Sequence, residues 1–182
     1  MSLHATYIEG IRPKLVEELE LKNVMAAPSI SKVVVDMGVG EGARNKELVE
    51  QLTRDLALMT GQKPQTRAAR KAISGFNTRE GDLVGIRVTL RRGRMYDFLE
   101  KVIKIVLPRL RDFRGISRKA FDGRGSYTLG MLDHTIFPEV EVGKSGRPWG
   151  LGITIVTTTK DDRQAMKLLE EIGMPFEKGE ER

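Results

Sequence analysis

Between Val84 and Val106 the hydrophobic period of the chain changes once. Val84, Ile86, Val88 and Leu90 alternate with Gly85, Arg87, Thr89 and Arg91, the period-two pattern of a strand with one buried face. After a turn expected at Gly93, Met95, Phe98, Leu99, Val102, Ile103 and Val106 recur at helical spacing until Pro108 ends the run, so a helix covers the strand's apolar face. The other face is left with arginine and threonine. Elsewhere, Tyr7, Ile11, Leu15 and Leu19 predict an amphipathic helix with Pro13 near its start. After Pro28, the run ISKVVVDM reads as a buried strand, and Val49, Leu52, Leu56 and Met59 give the stripe of a helix. Near the end, the strand LGITIVTTT precedes a helix from Asp162 to Ile172, with Asp161 and Gln164 as a capping box and Gly173 and Pro175 as its stop. There is no internal repeat and no linker, so residues 1–182 are expected to form one domain.

Composition narrows the partner. With 182 residues, 40% of them hydrophobic, one domain of this size removes about 70% of its unfolded surface from water. The chain has no cysteine, which gives neither a disulfide framework nor a thiolate metal site and fits a reducing compartment. The start, MSLHATYIEG, has no basic end followed by an apolar run, and no window approaches a membrane span. Cytoplasm is therefore the expected location, with no membrane partner. The net charge of +6 is modest, but residues 63–125 carry 17 basic and 6 acidic side chains while both flanking segments are net acidic. A concentrated basic block is the footprint of a polyanion. Its helix commits its apolar stripe to core and leaves nothing to lie on lipid, so nucleic acid is the favoured polyanion.

Three segments carry the candidate chemistry. Gly38, Gly40 and Gly42 follow a strand and precede a helix, as in a dinucleotide fingerprint, but the second parallel strand ending in an acid is replaced by Gly61, Gln62, Lys63 and Pro64. The glycines serve either a tight turn or the close approach of backbone N–H groups to a phosphate. From Lys63 to Asp82 the chain turns basic, small and polar, predicting a short strand and then a projecting basic loop near 66–82, with Arg67, Arg70, Lys71 and Arg79 in solvent. Phe76 is either a plug that pins this loop or a ring that stacks on an exposed base. Beyond the central helix, Arg109, Arg111, Arg114, Arg118, Lys119 and Arg124 lie among glycines, with Asp112 and Asp122 expected to order the arginines. FDGRG, residues 121–125, is turn chemistry.

Enzyme signatures are missing. His4 and His134 are not bracketed by acids at metal-ligand spacing, SISK at 29–32 lies in a strand, and there is no Walker loop. No catalytic residue, cofactor or metal is expected. Aromatic residues make up 5% of the chain, which disfavours a sheet that stacks single-stranded bases. Arginine, threonine and glycine on a strand suit phosphate and 2′-hydroxyl contact with folded RNA.

The stretches VTLRRGRMYDFLEKVIKIVLPRLRDFRG, FDGRGSYTLG, IFPE, MGVGEG, TGQKP and ITIVTTT, spread from about Tyr7 to Phe176, resemble the bacterial large-subunit ribosomal protein family, fifth of its series, that binds 5S ribosomal RNA. The resemblance implies an α+β fold, an antiparallel sheet with helices packed on one face and the other face open for RNA. It implies a structural constituent of the large subunit that helps seat 5S RNA, together with 23S RNA, in the central protuberance. Met37, Gly38, Val39 and Gly40, with Thr89 and Arg91, match the family's 5S-facing surface, and Lys63, Arg87 and Arg92 join it as basic neighbours. Ser74, Gly75, Phe76, Asn77, Thr78 and Arg79 match the loop that reaches peptidyl-site transfer RNA. Residues 134–147 match the part facing a small-subunit head protein across an intersubunit bridge. Arg67, Arg70, Lys71, Arg111, Arg114 and Arg124 are expected as additional basic RNA contacts. Two positions depart from the family: Asp36 stands where the pattern has asparagine, offering no side-chain donor when ionised, and EVGKSGRPWG replaces a more acidic, less glycine-rich run.

Overall fold

The computed structural model describes residues 2–40, 45–111, 113–141 and 147–177. Its first helical stretch consists of α1 (Leu3–Thr6), a π-helical turn over Tyr7–Ile11 and α2 (Arg12–Glu18). Pro13 has no N–H to donate one turn back. The wider turn just before it, closed by the Arg12 N–H on the Tyr7 carbonyl, absorbs that missing bond. Leu3, Tyr7, Ile11 and Leu15 are buried, whereas Leu19, expected in the same stripe, caps the end and is half-buried.

The strand β1 (Ile30–Gly38) follows, then α3 (Lys46–Thr60), β2 (Gln65–Ala68), β3 (Leu83–Leu90), α4 (Arg92–Lys101), β4 (Ser126–Met131), β5 (Leu151–Thr157) and α5 (Asp162–Ile172). The strands form a five-stranded antiparallel sheet in the order β2-β3-β1-β5-β4. The chain groups into two compact units. One draws on the chain up to Val33, on Arg91–Leu129 and on the chain from Thr154; the other on Val34–Leu90 and Gly130–Ile153.

In the second unit, α3 packs on β3; the predicted stripe Val49, Leu52, Leu56 and Met59 is buried, as are Val35 and Met37 of β1 and Ile86, Val88 and Leu90 of β3. Asn45 caps α3 by accepting from the Glu47 and Leu48 N–H groups. Alternate strand residues Asp36, Arg87 and Thr89 stay at least partly exposed, so this part of the sheet has one covered and one open face. Val84, expected in the core, is 39% exposed at the loop end of β3, where the register with β2 shifts between Arg67 and Ala68.

In the first unit, α1 packs on α4. Gly93 lies inside the first turn of α4 rather than before it, because the chain enters the helix directly from Arg91. A second π-helical stretch, Val102–Val106, precedes Pro108 in a 3-10 turn, Leu107–Arg109. Tyr96, outside the predicted stripe, is also buried and lies 6.1 Å from the Tyr7 ring and 4.8 Å from His4 between ring centroids. Burial pushes the Tyr96 hydroxyl up to about 12. The cap of α5 differs from the expected box. Asp161 accepts from the Arg163 N–H as predicted, but Gln164 Oε1 accepts from the Thr159 hydroxyl, and Thr159 Oγ1 in turn takes the Asp161 N–H.

Candidate nucleic-acid interface

Period-two geometry puts Gly85, Arg87 and Thr89 on the open face of β3. The antiparallel register sets Gln65 opposite Arg87 and Arg67 opposite Gly85. Directly opposed residues point to the same face, so Gln65, Arg67, Arg87 and Thr89 form one patch. Charge alone places Arg67 in the loop and does not single out Gln65; the register brings both into the sheet. Gly85 is required by close approach, since a Cβ there would sit 3.0 Å from the Met37 carbonyl oxygen. The Val39 N–H donates to the Val84 carbonyl at 3.1 Å, which carries the end of β1 past β3. Gln62 donates through Nε2 to the Thr89 carbonyl at 3.2 Å, and Lys63 beside it is exposed.

The predicted run Met37–Gly40 is split by this arrangement. Met37 and Val39 are core side chains, 1% and 0% exposed, so only their backbone is available to a ligand. Gly38 and Gly40 are exposed. Gly42 lies outside the described residues. Asp36 shares the open face: a Cβ built on Gly152 would lie 3.5 Å from its Oδ2. No ion pair joins Asp36 to a cation among the described residues. It is the acid on a patch otherwise built of arginine, amide, hydroxyl and glycine. Arg91, extended at φ −141° and ψ 161°, and Arg92, at φ +55°, are exposed where the chain enters α4.

The basic loop is ordered in two tiers. The Ala69 N–H reaches the Asp82 carbonyl at 2.8 Å, and Ile73 and Thr78 exchange N–H···O bonds of 2.9 and 3.2 Å. Between them Ser74–Phe76 makes a 3-10 turn and Asn77 turns left-handed at φ +49°. Arg79 is fixed through its backbone N–H on Asp82 Oδ2 at 2.7 Å, leaving its guanidinium exposed with Arg70 and Lys71. Phe76 is 80% exposed and Ile73 is 51% exposed. The plug reading of Phe76 therefore fails, because the ring has no core to enter. The same loop carries a cleft of about 730 Å³ lined by Ala72, Ser74, Asn77, Thr78, Arg79 and Asp82. An exposed aromatic ring in a loop that also exposes Arg70, Lys71 and Arg79 suits stacking against a base next to phosphate.

Residues 134–147 hold a pair that sequence spacing conceals. His134, fully buried, accepts the Trp149 N–H on Nδ1 at 3.1 Å and presents Nε2 to Asp55 Oδ2 at 3.6 Å. Asp55 also accepts from Gln51 at 2.8 Å. The His134 N–H donates to the Trp149 carbonyl at 3.0 Å, so this histidine closes the segment that returns at Trp149. Arg147 lies 4.4 Å over the Trp149 ring. Residues 142–146, within the predicted bridge segment, lie outside the described residues. Asp112, expected to order arginines, does too. Asp122 is described, and it orders backbone rather than arginine side chains, accepting from the Arg124 and Ser126 N–H groups. Arg111, Arg114 and Arg124 are exposed.

Among the described residues no group of three or more His, Asp or Glu could hold a metal ion, and no helix is long and apolar enough to cross a membrane. The chain matches two consecutive family descriptions, "Ribosomal protein L5" over residues 23–79 and the C-terminal region of the same ribosomal family over residues 83–176. It is 49% identical to the large ribosomal subunit protein uL5 of Limosilactobacillus fermentum, over 97% of this chain and 98% of that one. It is 50% identical to that of Desulfatibacillum aliphaticivorans, over 97% and 99%, and 51% identical to that of Acidobacterium capsulatum, over 96% of each.

Proposed function

Because the chain belongs to the ribosomal protein L5 family of the large subunit, we propose that it binds 5S ribosomal RNA through the open face of its sheet. The protein is a structural constituent of the ribosome and not an enzyme; its place is on the ribosome, where it binds ribosomal RNA in the service of translation. The observation that carries the finer reading is the patch of Gln65, Arg67, Arg87 and Thr89 on one face of β2 and β3, which offers forked cations and hydroxyl or amide partners to phosphate and ribose. Gly38, Gly40 and Lys63 extend it, with Met37 and Val39 contributing backbone only, and Arg91 and Arg92 are further 5S contacts. On this reading the protein helps seat 5S RNA, together with 23S RNA, in the central protuberance. The loop Ser74–Arg79 touches peptidyl-site transfer RNA through Phe76 and Arg79, and residues 134–147 face a small-subunit head protein. Arg70, Lys71, Arg111 and Arg114 are additional phosphate contacts.

The test is equilibrium binding of the full chain to 5S RNA. Arg87→Ala and Arg91→Ala should each weaken it by about 1–3 kcal/mol, the worth of a charge-assisted contact. Unchanged affinity in both would remove the sheet face from the site.

A further inference from the structure

The turn Asp122–Ser126 is ordered far beyond what a surface turn needs. Asp162, the first residue of α5, accepts from the Gly123 N–H through Oδ2 at 3.0 Å and from the Gly125 N–H through Oδ1 at 2.7 Å. Asp122 Oδ1 accepts from the Arg124 N–H at 2.8 Å and the Ser126 N–H at 2.9 Å. Four consecutive backbone donors are thus held by two carboxylates. Below them the Asp122 N–H closes on the Ser126 carbonyl at 3.0 Å, and Phe121 pairs with Tyr127, their rings 4.9 Å apart edge to face. Backbone bonding to Ser126 and Arg124 holds the Asp122 carboxyl below its ordinary value, so it stays an acceptor.

One long side chain leaves this frame. Arg124 is exposed and makes no ion pair among the described residues, although the Asp122 carboxylate lies in its own turn and the Asp162 carboxylate of α5 bonds that turn's backbone. Those carboxylates already serve backbone N–H groups, so the guanidinium keeps its donors for something outside the chain. Fixing the backbone in advance removes part of the ordering cost of binding. A planar fork carried on a backbone so fixed is matched to phosphate oxygens.

We propose that the 122–126 turn is a preorganised arginine mount, in which Asp162 is a positioning residue that holds Arg124 for a phosphate of ribosomal RNA. The inference rests on the large-subunit reading above and adds to it a mount and a residue 38 positions away in sequence from the group it serves.

The experiment measures retention of the full chain on large subunits across a salt series, for wild type, Arg124→Ala, Arg124→Lys, Asp162→Ala and the Arg124→Ala/Asp162→Ala double variant, with Arg91→Ala as comparison. Arg124→Ala should weaken retention about tenfold or more and lower the salt slope by about one. Lysine should restore only part. Asp162→Ala should weaken retention in the wild-type background and add little once Arg124 is gone, because a purely structural role would cost the same in both backgrounds. Equal cost in both overturns the positioning role. If Arg124→Ala matches wild type while Arg91→Ala is weakened, the mount falls and the ribosomal reading stands; if wild type is not retained, both fall. The chain has no cysteine, so Arg124→Cys carries a single tethered iron–EDTA group. Cleavage of RNA backbone near it supports a phosphate partner, and cleavage confined to a neighbouring protein overturns it.

Discussion

Gly123 and Gly125 have nearly the same φ, +74° and +79°, yet alanine should be tolerated at one and not the other. An L-residue in this left-handed region costs about 1–2 kcal/mol. At Gly123 nothing lies within 4 Å of an added Cβ, so Gly123→Ala should cost that and no more. At Gly125 the Cβ would overlap the Thr159 carbonyl oxygen and lie 3.0 Å from its carbon. The clash is with backbone, and the surroundings cannot give: Gly125 donates to Asp162 at 2.7 Å and its own carbonyl accepts the Thr157 hydroxyl at 2.7 Å. Adding about 1–3 kcal/mol of overpacking to that left-handed cost, Gly125→Ala should lose about 2–5 kcal/mol. Urea unfolding of both variants at matched slope reads the difference. Costs within about 0.5 kcal/mol of each other, the usual scatter for surface changes, would refute the role of space at Gly125.

Other expectations follow from burial and bonding. His134→Ala removes the acceptor of the buried Trp149 N–H and the ring facing Asp55, and should lower unfolding free energy by about 3–5 kcal/mol; a loss below about 1 kcal/mol in urea unfolding would show that the pair is not structural. Phe76→Ala, at a ring 80% exposed, should leave stability within about 0.5 kcal/mol and 5S RNA binding unchanged while reducing retention of peptidyl-site transfer RNA on assembled ribosomes; loss of 5S binding would move the loop into that surface. The Asp122 carboxyl, lowered from 3.8 by bonds from Ser126 and Arg124, contributes stability that is present above the unfolded value and lost as pH falls through the folded one. Asp122→Ala should therefore flatten the acid side of the stability profile below about pH 4, and an identical profile would dismiss the carboxylate's role in the turn.

Local periodicity is informative where neighbours along the chain decide the outcome. The stripe of α3, the alternation at Ile86, Val88 and Leu90 and the start of α5 depend on residues within a few positions, and they stand in the structure as the sequence predicts. Three features blur that signal. The wide π turn before Pro13 shifts the helical phase ahead of Leu19, which leaves the stripe, and Tyr96 enters the core because Tyr7 and His4 of the first helical stretch pack on it. The bulge at Arg67/Ala68 lets Val84 escape burial. Long-range pairing leaves no such signal. Asp55 meets His134 across 79 positions and Asp162 reaches Gly123 across 39, and no spacing rule connects them. Within the candidate site, strand alternation points to Arg87 and Thr89, whereas Gln65 and Arg67 join them only through strand register. Met37 and Val39 show the converse, since a motif match cannot tell a side chain that faces a ligand from one that faces the core.

The most direct test is affinity of the full chain for 5S ribosomal RNA against an unrelated structured RNA of equal length, each across a salt series. A sheet face that reads ribose and shape as well as charge predicts a preference that persists at moderate salt, while both affinities fall with the slope set by the phosphates engaged. Equal affinities that collapse together would mean that the basic block alone binds, and would contradict the 5S assignment.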